Sequence, residues 1–332
     1  MQNQAPLPLA ITMGCPSSIG PEIILKNFLH KTEQRANIVL GDIGILKKAA
    51  QELGLNVPIT AWQPGEQIEQ QSLLVMPLSN IKKHIWGAPD HASGTAMASY
   101  ITKAVEMTQA GIFSGIVTCP ISKASLNQAG FHFPGHTEML ASLTSTEKVG
   151  MMMAGDRLRV TLVTLHCPLA TVAAQLSVPR VLEMIRITHT SLQDDLGFKM
   201  PRIGVAALNP HAGEGGLFGN EEATTLMPAI EQARAEGIKV SEPLPPDTVF
   251  VKAIAGEFDA VVCMYHDQGL IPFKLIHFED GVNVTLGLPI VRTSVDHGTA
   301  YDIAGRGIAS HSSLAAAIEL AEQITIHRQQ NL

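Results

Sequence analysis

The chain has 332 residues, of which 45% are hydrophobic and 16% charged, and a formal net charge of −7. That balance supports a sizeable core in two domains or one large one, and it excludes an intrinsically disordered chain. The negative charge argues against nucleic acid or an anionic membrane as partner. No run approaches the roughly 20 apolar residues that cross a bilayer. Met1–Met13 has no basic leader pattern, so no signal peptide is expected and the cytoplasm is the predicted compartment. Cys15, Cys119, Cys167 and Cys263 are far apart and form no C-x-x-C pair. A disulfide framework is therefore not expected, and Cys119, Cys167 and Cys263 read as buried thiols beside apolar runs.

In chain order, Leu7–Met13 is the first predicted strand. It runs into Gly14-Cys15-Pro16-Ser17-Ser18-Ile19-Gly20-Pro21-Glu22, a glycine turn opening a helix with Pro21 at its first position. Such a turn can bind an anion, but G-x-G-x-x-G is missing and a plain strand-to-helix turn is the better reading of these residues alone. Asn37–Leu40 is a second strand. Ser93–Gln109 is a helix with Ser93 as cap, and Gly115–Thr118 is another strand. Gly135-His136-Thr137-Glu138 precedes a helix that Thr137 could cap. Strand Val160–Leu165 is followed by helix Val178–Leu196, with Val181, Ile185, Leu192 and Leu196 on one face. Then come strand Ile203–Leu208, an acid-opened helix over Glu221–Glu236, a turn at Pro243–Pro246 and strand Ala260–Met264. These short apolar runs do not alternate with polar residues, as strands buried on both faces do not. Alternation of strands with helices gives an α/β fold.

Three histidines follow such strands: His166, His211 and His266. In open α/β sheets ligands gather beyond the carboxyl ends of strands, so the three can converge. Three imidazoles with an open position suit zinc, and also cobalt or nickel. The alternative is that each merely caps a strand or satisfies a loop carbonyl. Asp267 adjoins His266 and can orient it or move a proton, and Asp247 after the proline turn is a second acid–base candidate. His211-Ala212-Gly213-Glu214-Gly215-Gly216 allows close backbone approach to a ligand. Lys274 and Arg292 stand in apolar surroundings, where a cation either reaches solvent or meets an anion such as phosphate. The polar, glycine-rich stretch Ser294–Gly307 reads as a ligand loop.

Taken together, Gly135-His136-Thr137-Glu138, Leu208–Gly216, Met264-Tyr265-His266-Asp267-Gln268-Gly269, Val282–Pro289 and Arg292–Ala300 resemble the 4-hydroxythreonine-4-phosphate dehydrogenase family of pyridoxal phosphate biosynthesis. The resemblance covers nearly the whole chain. His297-Gly298 through Asp302-Ile303-Ala304-Gly305 is similar to the adenosine loop of isocitrate and isopropylmalate dehydrogenases, and Ile19-Gly20-Pro21-Glu22 to their start. The resemblance implies a two-domain α/β/α fold with an interdomain cleft. One discontinuous domain (1–130 plus 280–332) would carry the NAD site; the other (131–279) would carry the metal ligands and dimer interface. It implies that His166, His211 and His266 bind a divalent metal (zinc, magnesium, cobalt or manganese) in a homodimer with sites at the interface. His136, Thr137, Lys274, Asn283 and Arg292 would hold the phosphorylated substrate, and His297, Gly298 and Asp302 the NAD or NADP.

The activity implied is NAD-dependent oxidative decarboxylation of 4-phosphohydroxy-L-threonine, with Asp247 or Asp267 managing protons. Family members usually have an acidic residue, Pro, Ala and Gly where this chain has Cys15-Pro16-Ser17-Ser18. D-threonate or D-erythronate 4-phosphate are therefore alternative substrates. Two readings from other classes are a metal-dependent hydrolase, which would need no adenosine loop, and a non-catalytic metal-stapled dimer.

Overall fold

The computed structural model describes residues 7–30, 36–69 and 71–330; the first six residues of the segment read for a leader lie outside them. The strands and helices run β1 Leu9–Thr12, α1 Gly20–His30, β2 Asn37–Gly41, α2 Ile43–Glu52, β3 Ile59–Ala61, β4 Leu73–Pro77, α3 His91–Gln109, β5 Gly115–Thr118, α4 Lys123–Gln128 and α5 His136–Leu143. They continue with β6 Gly150–Ala154, β7 Arg159–Leu162, α6 Val172–Gln175, α7 Val178–Asp194, β8 Arg202–Ala206, α8 Met227–Ala235, β9 Lys239–Leu244, α9 Val249–Ile254, β10 Ala260–Cys263, α10 His266–Ile276, β11 Val282–Leu286, β12 Arg292–Val295 and α11 Ser312–Gln330. The α/β fold expected from the alternating pattern is thus the fold found. No helix among the described residues is long and apolar enough to cross a membrane.

The chain divides into two compact units, residues 1–147 with 288–325, and 148–287 with 326–332. In the first, the strand order is β3-β4-β2-β1-β5-β12 and each pairing is parallel. Leu9, Ala10, Ile38, Leu40, Ile116 and Val117 are sealed from solvent, as both faces of a parallel sheet require. In the second unit the order is β11-β6-β7-β10-β8-β9. There β7, β10, β8 and β9 run parallel, while β6 is antiparallel to both β7 and β11. The Gly150–Ala154 strand is three methionines between small residues, without the β-branched signature of its neighbours. Its core is built from Met151, Met153, Val160, Leu162, Val261, Val249, Phe250 and Phe273.

Helix α7 lays Val181, Ile185 and Leu192 fully into this unit. Each such burial contributes about 1.5–3 kcal/mol. The helix stops at Asp194, so Leu196 falls outside it and stays partly exposed.

Three local expectations are corrected. Helix α3 starts earlier, and its cap is Asp90, whose carboxylate accepts from Ser93 N at 2.9 Å; Ser93 answers as the third residue of the capping box. Helix α5 is capped by Gly135 without a side-chain bond, leaving Thr137 inside the first turn. The Glu221–Glu236 helix is two pieces, a π-helical turn at Glu222–Leu226 and then α8.

Candidate active site

The strands β7, β10 and β8 are neighbours in that order and point the same way. His166, His266 and His211 each lie within a few residues beyond their carboxyl ends. Parallel pairing therefore delivers the three imidazoles to one edge of one sheet, where α/β proteins bind ligands. Side-chain braces fix that edge. Thr164 Oγ1 donates to Met264 O at 2.8 Å, joining the end of β7 to that of β10. Gln268, buried, accepts from Met264 N at 2.7 Å and donates to Ala207 O at 2.6 Å, joining β10 to β8. Neither brace was foreseen, although Gln268 lies inside a recognised motif.

The His166 and His266 rings lie 5.5 Å apart, centroid to centroid, tilted by 41°. His266 Nδ1 faces Asp267 Oδ1 at 2.7 Å, which leaves Nε2 as the nitrogen that could ligate an ion. That donor chemistry fits a divalent metal such as zinc or cobalt. His211 does not complete a tight trio: among the described residues, the group of donor atoms within 4.8 Å of one another is Asp156, His277 and Asp280. There His277 is a buried clamp, facing Asp280 with Nδ1 at 3.1 Å and Asp156 with Nε2 at 3.5 Å. Asp247 is exposed at the turn after β9.

His211 sits on unusual backbone. His211, Ala212, Gly213, Glu214 and Gly215 have φ between 43° and 79° in succession, one turn of left-handed helix. Each non-glycine residue held this way costs about 1–2 kcal/mol. Such cost persists only where the surroundings over-determine the conformation.

In the first unit, Arg292 opens β12 with only 3% exposure, and its Nη2 donates to Thr118 Oγ1 of β5 at 2.7 Å. Burial pushes the guanidinium down to about 9, with Glu138 acting against it, so it keeps its charge at neutral pH. His136, first residue of α5, is held well below the usual imidazole range by burial, with Arg292 and Lys123 adding to the effect. Its Nε2 is sealed from solvent without a hydrogen-bond partner among the described residues. A neutral imidazole, a buried guanidinium and a helix N-terminus make an anion-seeking cluster. Thr137 is half-buried beside His136. Lys123 belongs to this cluster and was missed, because in sequence it reads as an ordinary surface lysine. In the second unit Lys274 lies in the last turn of α10 and Asn283 on β11, both half-buried.

The loop after β12 is tied to the first helix. Glu22, 1% exposed, accepts from Ala309 N at 2.8 Å and Gly307 N at 3.2 Å. Lys26 pairs with Glu22 and donates to the carbonyls of Gly307 and Ala309 at 2.8 and 2.7 Å. His297 Nδ1 lies 3.1 Å from Gly298 O, while Gly298 and Asp302 are exposed on the same loop. Opposite the loop, Gly14 takes φ +70°, and a Cβ there would fall 2.3 Å from Pro120 O, so only glycine fits. Cys15, Cys119 and Cys263 are buried and Cys167 is half-buried, none in a disulfide.

The chain is similar to known proteins over nearly its whole length. The sequence profile of the family described as "Pyridoxal phosphate biosynthetic protein PdxA" matches residues 33–321. A 4-hydroxythreonine-4-phosphate dehydrogenase of Desulfosudis oleivorans is 53% identical over 96% of both chains. A provisionally named D-threonate 4-phosphate dehydrogenase of Oceanobacillus iheyensis is 42% identical over 95% of this chain and 97% of its own. The crystal structure of 4-hydroxythreonine-4-phosphate dehydrogenase from Klebsiella pneumoniae is 38% identical and superposes with a TM-score of 0.88 over 96% of this chain and 99% of that one. The family expected from the sequence motifs is therefore the family found: this chain is an enzyme of the PdxA dehydrogenase family.

Proposed function

We propose that the chain oxidises 4-phosphohydroxy-L-threonine with NAD and decarboxylates the product to 3-amino-2-oxopropyl phosphate, in the cytoplasm, as a metal-assisted homodimer. The observation that carries this reading is the edge formed by β7, β10 and β8, with a histidine beyond each strand. His166, His266 and His211 would hold the divalent ion; when bound, that ion favours ionisation of the substrate hydroxyl and stabilises negative charge as carbon dioxide departs. NAD would accept the hydride, held by the loop bearing His297, Gly298 and Asp302.

The protein's own residues do the rest. Asp267 fixes the tautomer and direction of His266. Asp247, beyond the neighbouring strand β9, is the second candidate to take the hydroxyl proton. The charged Arg292, with His136 and Thr137, would grip the phosphate away from the reacting carbon and fix its orientation. Neutral His136 suits this task, since it can donate a hydrogen bond to phosphate without itself needing to be charged. On α10, Ile271 and Leu275 are 60% and 83% exposed one turn apart, and Phe278 just beyond the helix is 77% exposed, an apolar stripe suited to a second copy of the chain.

D-threonate or D-erythronate 4-phosphate is the second reading, favoured by Cys15 standing where relatives usually have an acid and by the Oceanobacillus relative. The hydrolase and stapled-dimer readings have no use for the braced loop at Gly307 and Ala309. Absorbance at 340 nm, with metal and NAD and each of the three phosphates in turn, tests the proposal. Turnover of the first supports it. Turnover of a sugar-acid phosphate alone replaces the substrate. Silence with all three, from protein that holds metal and binds NAD, sinks it.

A further inference from the structure

We infer that Glu222 is a positioning residue: its buried carboxylate winds the left-handed turn that aims His211. The inference rests on the reading of His211 as a metal ligand.

Glu222 is 7% exposed and opens the π-helical turn Glu222–Leu226. No cation among the described residues forms a salt bridge with it. Its Oε1 instead accepts from two consecutive backbone amides, Leu208 N at 2.9 Å and Asn209 N at 2.8 Å. Its Oε2 accepts from Asn209 Nδ2 at 3.0 Å, and Glu221 Oε2 takes the same amide group at 2.8 Å. A Cβ on Gly213 would stand 2.8 Å from Glu222 Oε2, so the carboxylate also abuts the turn from inside. One side chain thereby holds the chain immediately before His211 and packs against it two residues after.

This explains two anomalies at once. His211, Ala212 and Glu214 keep positive φ although none is glycine, and an α-helix begins with a π turn. Both are costly and both tend to occur at functional sites. An ordinary α-helical start would turn Glu222 elsewhere. The π turn carries its oxygens to Leu208 and Asn209, and with those amides fixed the chain continues left-handed through His211. The contacts place Glu222 on the backbone just before His211, so its effect passes through His211.

The test is zinc affinity of the metal-stripped full-length protein by calorimetric titration. Glu222→Asp keeps the charge and withdraws the oxygens by one methylene, so affinity should fall at least about tenfold. Glu222→Gln loses the charge and keeps an acceptor of the same reach, so affinity should fall less than about threefold. Adding Ala212→Gly to Glu222→Asp should restore about tenfold, because glycine adopts the left-handed form without the steric cost. In a His211→Ala background, Glu222→Asp should cost nothing more, since coupled residues are non-additive. Gln weaker than Asp, no rescue by Ala212→Gly, or additive losses with His211→Ala would each overturn the inference. Wild-type zinc affinity in His211→Ala alone would remove the metal reading beneath it, a failure distinct from these.

Discussion

The Tyr301 hydroxyl donates to the Cys15 thiol at 3.3 Å. That thiol lies in the turn between β1 and α1, and burial pushes it above its ordinary range. Cys119 and Cys263 are raised for the same reason. All three are protonated and inert at neutral pH. Titration of the native protein with a disulfide reagent should label Cys167 within minutes and the other three only after unfolding. Rapid labelling of Cys15 would show an open turn.

Arg292 offers the sharpest test of the anion cluster. Arg292→Ala should raise KM for a phosphorylated substrate roughly 10- to 150-fold, as loss of a charge-assisted hydrogen bond does. Arg292→Lys keeps the charge and loses the fork that reaches Thr118, so it should recover only part of the loss. An unchanged KM in both would remove Arg292 from phosphate binding.

The apolar stripe of α10 predicts an oligomer. Leu275→Asp should shift the protein toward monomer in sedimentation velocity, because a carboxylate cannot be desolvated there without a partner. Turnover should fall with the dimer fraction. An unaltered dimer at micromolar concentration would place the contact elsewhere.

Asp90 predicts a stability effect with a defined sign. Its carboxylate lies below the usual range, chiefly because Ser93 N donates to it, with burial acting against that. The folded value is depressed, so the contribution is present above the unfolded value near 4 and fades as pH falls through the folded one. Asp90→Ala should cost about 0.5–2 kcal/mol in urea unfolding at pH 7, and the difference should shrink in strong acid. A difference independent of pH would assign the loss to packing.

Much of this was legible in the residues. Val160–Leu165, Ile203–Leu208 and Ala260–Met264 announced themselves as buried strands, and parallel pairing then put His166, His211 and His266 on one edge. Other features depended on contacts that no local pattern encodes. The strand Gly150–Ala154 is written in methionine, an unbranched residue that favours helix over strand and so gives no strand signal. Ser93 looked like a cap because its helix continues cleanly after it, whereas Asp90 three residues earlier holds that role. Ala212 and Glu214 carry no mark of left-handed backbone, since tertiary contacts rather than residue type hold them there. Glu222 read as a dipole-friendly acid in a first turn; its true partners precede it by thirteen and fourteen residues.

The pairing of β12 with β5 has a consequence for synthesis. Thr118 and Arg292 are 174 positions apart, and the whole of residues 148–287 lies between them. At about 5–20 residues per second, the nascent chain exposes the open edge of β5 for roughly 10–35 seconds before β12 leaves the ribosome. The intervening unit can collapse in that interval, while the first waits with a hydrophobic strand uncapped. Misassembly in the cell should therefore begin at β5, and a chaperone that binds extended apolar segments would have its target there.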